Sequence, residues 1–445
     1  MSFERNGLGF AFGAALTILA CSKSDDVLSP AEASTPADAP TTQDATSEDA
    51  TTEAATSSDA TTEDASSAED FSHLVIIGND EKVSWDTTGK QLLGPPGADT
   101  VKLLDITQPL APQITGSLSI ENSVTGPPTN VAIIRQHGLA LVANARKWVA
   151  LDGGGWTSVP GTTVTVVDLA GTPSITDTIV VGQQPSGIGI SPQGDLALVA
   201  NRADGTLSVL AIQGKAVTNI GTATLGPPPV VPDGGPPPAS LVSAVAFTPD
   251  GLRALVTRVP GNQVAIVDVS GTNVTYNGVD VEVGKDPYNI VVSADGRIAL
   301  TADNGNNGAA DGVPDTVSVI DLEANPPVRL AQIEVGDAPE GLAVSADGKF
   351  AAVGILNGTI VNQTLPYYHP FGIVVGLSID GNTVTKANQV NVLGHPQGLV
   401  FTPDSKYLYA ANMLDQNLSI LQIVNGQLVD TSQVVPVGGH PASMR

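Results

Sequence analysis

The chain has 445 residues, a single cysteine, only 4% aromatic residues and a formal charge of −26. That charge disfavours nucleic acid and anionic membrane surfaces as partners. One thiol, Cys21, rules out an intrachain disulfide, a thiolate metal cluster and haem attached through a C-x-x-C-H motif.

The first twenty residues have the form of an export signal, with a weakly basic start at Arg5 and an apolar, small-residue run over 8–20 that is too short for a transmembrane helix. Ile18-Leu19-Ala20-Cys21 resembles the bacterial lipobox, in which the thiol is acylated and becomes the first residue of the mature chain. The alternative is an ordinary signal peptide with a chance cysteine. The resemblance implies an exported lipoprotein held on a membrane, the outer one, by acyl chains rather than by a span. Residues 21–70 then turn to Ser, Thr, Ala, Pro, Asp and Glu, in phrases such as TTQDATSEDATTEAATSSDATTED. Such a segment cannot bury a core and is expected to be a disordered acidic tether. A flexible coil of roughly fifty residues spans about 40 Å, enough to hold a domain clear of a bilayer.

From Phe71 onward, short Val/Ile/Leu-rich alternating segments are punctuated by Gly, Pro, Asn and Asp, with no competing helical period. Aligned on an S/T-P/A-D/Q-G turn, repeats begin near Pro128, Pro185, Val242, Pro287, Pro339 and Pro396. Their spacing of about 45 to 57 residues is a propeller-blade period. In the unit from Pro287 the strands are YNIVVS, RIALTAD, TVSVIDL and LAQIEVG, and Asp295-Gly296 provides the positive φ of a hairpin turn. Residues 441–445 supply a first strand only. The other three lie near the start, at His73-LVIIGND, Thr100-VKLLDI and Ile114-TGSLSI, with Asp105 standing where Asp168, Asp268 and Asp321 stand elsewhere. The expected fold is therefore all-β: a monomeric seven-bladed β-propeller over residues 71–445, whose last blade is assembled from both ends so that no sheet edge is left open.

The pattern P-x-G-(I/L)-x-(I/V/F)-S/T-P-D-G, with Ala-Leu-Val-Ala-Asn at 197–201, TVSVIDL and Tyr409-Ala-Ala-Asn412, resembles the YVTN-repeat β-propellers. That group contains surface-layer repeats and YncE-type, lactonase-like exported proteins. The resemblance covers essentially the whole folded region and implies the fold; for function it leaves lactone hydrolysis, haem binding and plain scaffolding open.

Strand parity places the loop between second and third strands on the same face as the connections between blades. Those loops are long at 80–99, 145–162, 304–314 and 356–371, and long loops in a compact repeat carry function. They hold Trp85, Trp148 and Trp156, and also Tyr367-Tyr368-His369, which form either a contact surface or packing against the rim. The proline run after Gly226 is expected to be a stiff spacer on this face. Arg146, Arg202 and Arg258 end the second strands of three successive blades and are expected to share one sector, beside His395 and His440 at the channel mouth. Three arginines suit a carboxylate or phosphate. Salt bridging along the rim is the alternative.

No G-x-S-x-G, H-E-x-x-H or phosphate-binding glycine motif is present. The segment Asp303-NGNNGAADGVPD looks like a calcium loop, but Gly305 and Pro314 stand where oxygen-bearing side chains are needed, so neither metal nor cofactor is expected. Two functions remain. One is a membrane-anchored lipoprotein whose decorated face binds a protein, a glycan or a small anionic ligand without chemistry. The other, implied by the resemblance, is a lactonase-like hydrolase using Glu340, His395, His440 and the rim arginines, which would have to converge at one channel mouth.

Overall fold

The computed structural model describes residues 69–226, 241–306 and 308–445. The expected export signal, acylated Cys21, the tether up to residue 68 and nearly all of the proline run fall outside the described residues. The rest forms seven four-stranded antiparallel sheets and one small two-stranded hairpin. Blades 2 to 6 begin with inner strands Pro185–Ile190, Val242–Phe247, Pro287–Val292, Pro339–Val344 and Pro396–Phe401, at the starts expected from the repeat. In blade 1 the inner strand is Val131–Ile134, three residues later than the alignment suggests, because Pro127 to Asn130 lead into it as a turn.

Two recurrent devices explain why these residues build blades. In the turn after the inner strand, Ser293 donates to Asp295 at 2.6 Å and accepts from the Ile298 amide at 3.1 Å, while Gly296 takes φ 74°. The same arrangement recurs at Ser345/Asp347 and at Thr402/Asp404, where Ser405 accepts the left-handed conformation that glycine takes elsewhere. At the end of the second strand, an Asn or Asp bonds to hydroxyls of the third. Asn201 donates to Thr206 and Ser208, both at 3.0 Å, and Asp303 accepts from Thr316 at 2.9 Å and Ser318 at 2.7 Å. These pairs satisfy buried polar groups that would otherwise cost about 1–3 kcal/mol each.

The seventh blade joins both ends of the folded region. Strand Pro441–Met444 pairs antiparallel with Leu74–Asn79, followed outward by Thr100–Asp105 and Gln113–Ser119. Ile77 lies opposite Met444 and Gly78 opposite Ser443, and the Ile76 and Arg445 backbones exchange hydrogen bonds of 2.8 and 3.0 Å. Apolar residues seal both flanks of this blade: Ile76, Leu103, Val131 and Val142 toward blade 1, and Ile77, Leu104, Tyr409 and Met444 toward blade 6.

One long connection differs from expectation. Residues 145–162 are not a loop: the second and third strands of blade 1 run on as Leu139–Ala150 and Trp156–Asp168, pairing as far as Ala150 opposite Trp156. The β-formers Trp148, Val149, Trp156 and Val159 favour extension of the ladder over irregular backbone. Within 80–99 lies a second, shorter hairpin, Val83–Trp85 with Gln91–Leu93.

Candidate active site at the channel mouth

The inner strands are irregular where it matters. In blades 2, 4, 5 and 6 the register shifts directly after the leading proline, between Pro185 and Ile188, Pro287 and Asn289, Pro339 and Leu342, and Pro396 and Leu399. Such bulges re-aim side chains. The residues in the shifted register are Ser186, Tyr288, Glu340 and Gln397, and the last three line a cavity of about 370 Å³ at the loop-bearing end of the channel. Arg146, Arg202, Gln184, His395 and Trp85 also line it.

Glu340 is the centre of this group and is buried, with 3% of its surface exposed. One of its carboxyl oxygens accepts from Gln397 Nε2 and the other from Asn304 Nδ2 at 3.4 Å. Burial pushes its carboxyl up to about 7, against the opposing pull of Gln397, Arg202 and Asn304. Gln397 Nε2 also lies 2.5 Å from His395 Nε2. Since an amide nitrogen donates only, that imidazole nitrogen accepts and His395 carries its proton on Nδ1. Burial holds His395 down to about 3, so the ring is neutral across the physiological range. Among the described residues, neither His395 Nδ1 nor Gln397 Oε1 has a hydrogen-bond partner. Unpartnered buried polar atoms of this kind are costly unless water or a ligand meets them.

The cationic side is built from two blades. The Arg202 guanidinium lies 5.5 Å from the centroid of the Tyr288 ring. Burial lowers the pKa of Arg146, and the charge of Arg202 lowers it further, so the two guanidinium groups act on each other across the cavity. Burial likewise raises the Tyr288 phenol, whose oxygen accepts from the Gly126 amide at 3.1 Å. The Trp85 ring lies against that of His395, with centroids 5.1 Å apart and the planes tilted by 45°.

The structure thus brings Arg146, Arg202, Glu340 and His395 together. Arg258 is elsewhere. It pairs with Asp280 at 2.6 Å, lies 5.9 Å from the Tyr276 ring and lines a separate cavity of about 160 Å³. The three arginines therefore do not form one sector, because Asp280 on the outer strand of the same blade draws Arg258 outward. His440 is also held away, with Nδ1 at 2.8 Å from Glu81 and Nε2 at 3.1 Å from Gln416. Trp148 is buried with Lys82 Nζ 5.0 Å from its ring, and that wholly buried lysine pairs with Asp80 and Asp99. Trp156 and Tyr368 are half-buried. Trp148, Trp156 and Tyr368 are not among the residues lining the Glu340 cavity.

Sequence reasoning missed Tyr288, Gln397 and Asn304. A signal existed for the first two: the position after the leading residue of the inner strand reads Ser186, Ser243, Tyr288, Glu340, Gln397 and Ala442 around the ring, so three large polar side chains follow one another in blades 4 to 6. Among the described residues no group of three or more His, Cys, Asp or Glu side chains is arranged to hold a metal ion.

These elements define a seven-bladed β-propeller with a titratable cluster at one channel mouth. No protein-family model matches the chain, and no curated protein matches its sequence. Solved structures do match. A Bacteroides uniformis protein provisionally described as a 6-phosphogluconolactonase superposes with a TM-score of 0.62 at 16% identity, over 84% of this chain and 98% of its own. The Pseudomonas aeruginosa periplasmic gluconolactonase PpgL gives 0.57 at 18% identity, with the same coverage of each. The Kuenenia stuttgartiensis hydrazine synthase gives 0.53 at 18% identity over 74% of this chain and 92% of that one. At such identities the likeness is one of fold, and proteins with different names share it.

Proposed function

We propose that this protein is an exported, membrane-anchored propeller hydrolase that opens lactones at the Glu340 mouth of the channel. The observation that carries the reading is a buried carboxyl, raised to about 7, in a cavity that also holds Arg146 and Arg202. A group with that pKa is well matched to general-base work at neutral pH. Similarity in fold to proteins named as lactonases supports the reading at least as well as it supports binding alone.

In this scheme ionised Glu340 takes a proton from a water molecule as the water oxygen attacks the lactone carbonyl carbon. Negative charge developing on the carbonyl oxygen faces the arginine side of the cavity. The ring C–O bond then breaks, protonated Glu340 returns its proton to the departing alkoxide, and the product is a hydroxy acid that ionises to a carboxylate. Gln397 and Asn304 orient the base, while Trp85 shields it from bulk water.

A pH-stat assay across five- and six-membered lactones tests this. Turnover by the wild type that Glu340→Gln reduces at least a hundredfold, with the fold intact by circular dichroism, is the expected result. No turnover of any member of the panel would instead favour the second reading, a binding module for small anionic ligands. That reading is favoured by the way Gln397 and Asn304 already satisfy both Glu340 oxygens. The anchor is tested separately: Cys21→Ala should move the protein from the membrane to the soluble fraction, and unchanged fractionation would exclude acylation there.

A further inference from the structure

The channel has a second end, and its chemistry is different. The cavity there is the larger, about 590 Å³, and lies on the face of the tight turns, where Thr402 and Pro403 border it. Its wall is built from repeat-equivalent residues late in the inner strands. Ile133, Ile190, Phe247, Val292, Val344 and Phe401, one from each of blades 1 to 6, line the cavity and are only half-buried. A water-filled opening would favour polar residues at these places, as the other mouth has Tyr288, Glu340 and Gln397. Six successive blades instead present apolar surface to the same space, an arrangement that marks a binding site for an apolar body.

Charge enters this wall at two points. Arg135 lines it, but its guanidinium is already committed to the Leu74 carbonyl at 3.0 Å and to that of Phe71, and Asp70 lies within electrostatic reach. Arg445 is different. Its backbone is fixed by the reciprocal pair with Ile76, and its side chain lines the cavity with no acidic residue among the lining. Burial lowers its guanidinium to about 10, with no Asp or Glu side chain acting against that shift. A half-buried guanidinium beside an apolar wall is complementary to a carboxylate that carries a hydrocarbon tail.

We propose that this end of the channel is a second ligand site, taking an amphipathic carboxylate of the fatty-acid type with its chain among the inner strands and its head on Arg445. Each methylene transferred to such a wall raises affinity about fourfold, so chain length would set affinity while Arg445 sets head-group preference. The site is independent of Glu340, which lies at the opposite mouth.

Calorimetric titration of the folded protein with decanoate, below its micelle concentration, and with decanol as an uncharged control tests the proposal. Decanoate should bind the wild type and the Glu340→Gln variant equally. Arg445→Gln should weaken it about tenfold or more, and Ile190→Trp, which fills the cavity, should abolish binding with the melting temperature retained. The proposal is overturned by lack of decanoate binding to the wild type, by decanol binding as tightly, by unchanged affinity in Arg445→Gln, or by loss of binding in Glu340→Gln. If Ile190→Trp does not fold, the Arg445→Gln and decanol comparisons still decide.

Discussion

Trp85 and His395 lie ring against ring, 5.1 Å apart at their centroids and tilted by 45°. One comes from a hairpin inserted in blade 7, the other from the turn that leads into blade 6, where it holds φ 58°. The hairpin reaches still further, since the Gln363 amide of the blade 5 loop donates to the Thr87 carbonyl at 3.1 Å. It therefore crosses the channel mouth above blade 6 and roofs the Glu340 cavity. Trp85→Ala should wet the site and let His395 rise from about 3 toward its ordinary value, as read by NMR titration of the imidazole. Loss of the ring contact should also weaken ligand binding about three- to tenfold. A His395 titration curve unmoved by the substitution would show that the ring is shielded by other groups.

Glu340 as base requires its ionised form, so kcat/KM should rise with pH through about 7 and level off above it. Neutral His395 contributes no second ionisation in this range. A profile that falls over the same interval would identify the protonated carboxyl as the working form and reverse the assignment.

Folding stability should respond in the opposite sense. Glu340 holds its proton up to about 7 in the folded state but only to about 4.5 when unfolded, so its contribution is fully present below 4.5 and is lost as pH rises to 7. At 1.36 kcal/mol per unit the loss is on the order of 3 kcal/mol. Asp303 and Asp315, both raised by burial to about 6, act in the same direction between about 4 and 6. The turn aspartates Asp250, Asp295 and Asp404 are held below the usual range, and their contribution is lost only as pH falls under about 4. Urea unfolding should thus show a maximum near pH 4 to 5, and Glu340→Gln should flatten the decline above it; an unaltered decline in that variant would exclude Glu340 as its source.

The two arginines at equivalent strand ends should separate function from structure. Arg202→Ala, in the cavity wall, should lower turnover or ligand affinity by an order of magnitude or more. Arg258→Ala breaks its partly buried pair with Asp280 and should cost about 1–3 kcal/mol of stability while leaving activity unchanged. Equal activity losses in the two variants would mean that the sites are coupled after all.

Ring closure rests on four residues of paired strand. Deleting 438–445 would remove the inner strand of blade 7, expose Leu74–Asn79 as an open edge and uncover Ile77 and Tyr409. The melting temperature should fall by about 5 °C or more. A truncated chain melting within about a degree of the full one would show that blade 7 does not close the ring.

The fold was legible because a propeller is specified locally: each blade writes its own turn, through Ser293 with Asp295 and their counterparts, and its own strand end, through Asn201 or Asp303. Repetition of those short-range patterns gave the blade starts, and the unmatched strands at the two ends gave the closure. The site was legible only in part. Glu340, His395, Arg146 and Arg202 could be placed by their positions in the repeat, yet the same reasoning placed Arg258 and His440 beside them. Position in a repeat fixes where a Cα lies, whereas the direction of a long side chain is decided by whichever charge it meets. Asp280 and Glu81 capture Arg258 and His440, and among the described residues no acid other than Glu340 lines the cavity that holds Arg202. The raised carboxyl and the neutral histidine belong wholly to the tertiary structure, because they arise from burial beneath the Trp85 hairpin, and burial is a property of the packed ring rather than of any one blade.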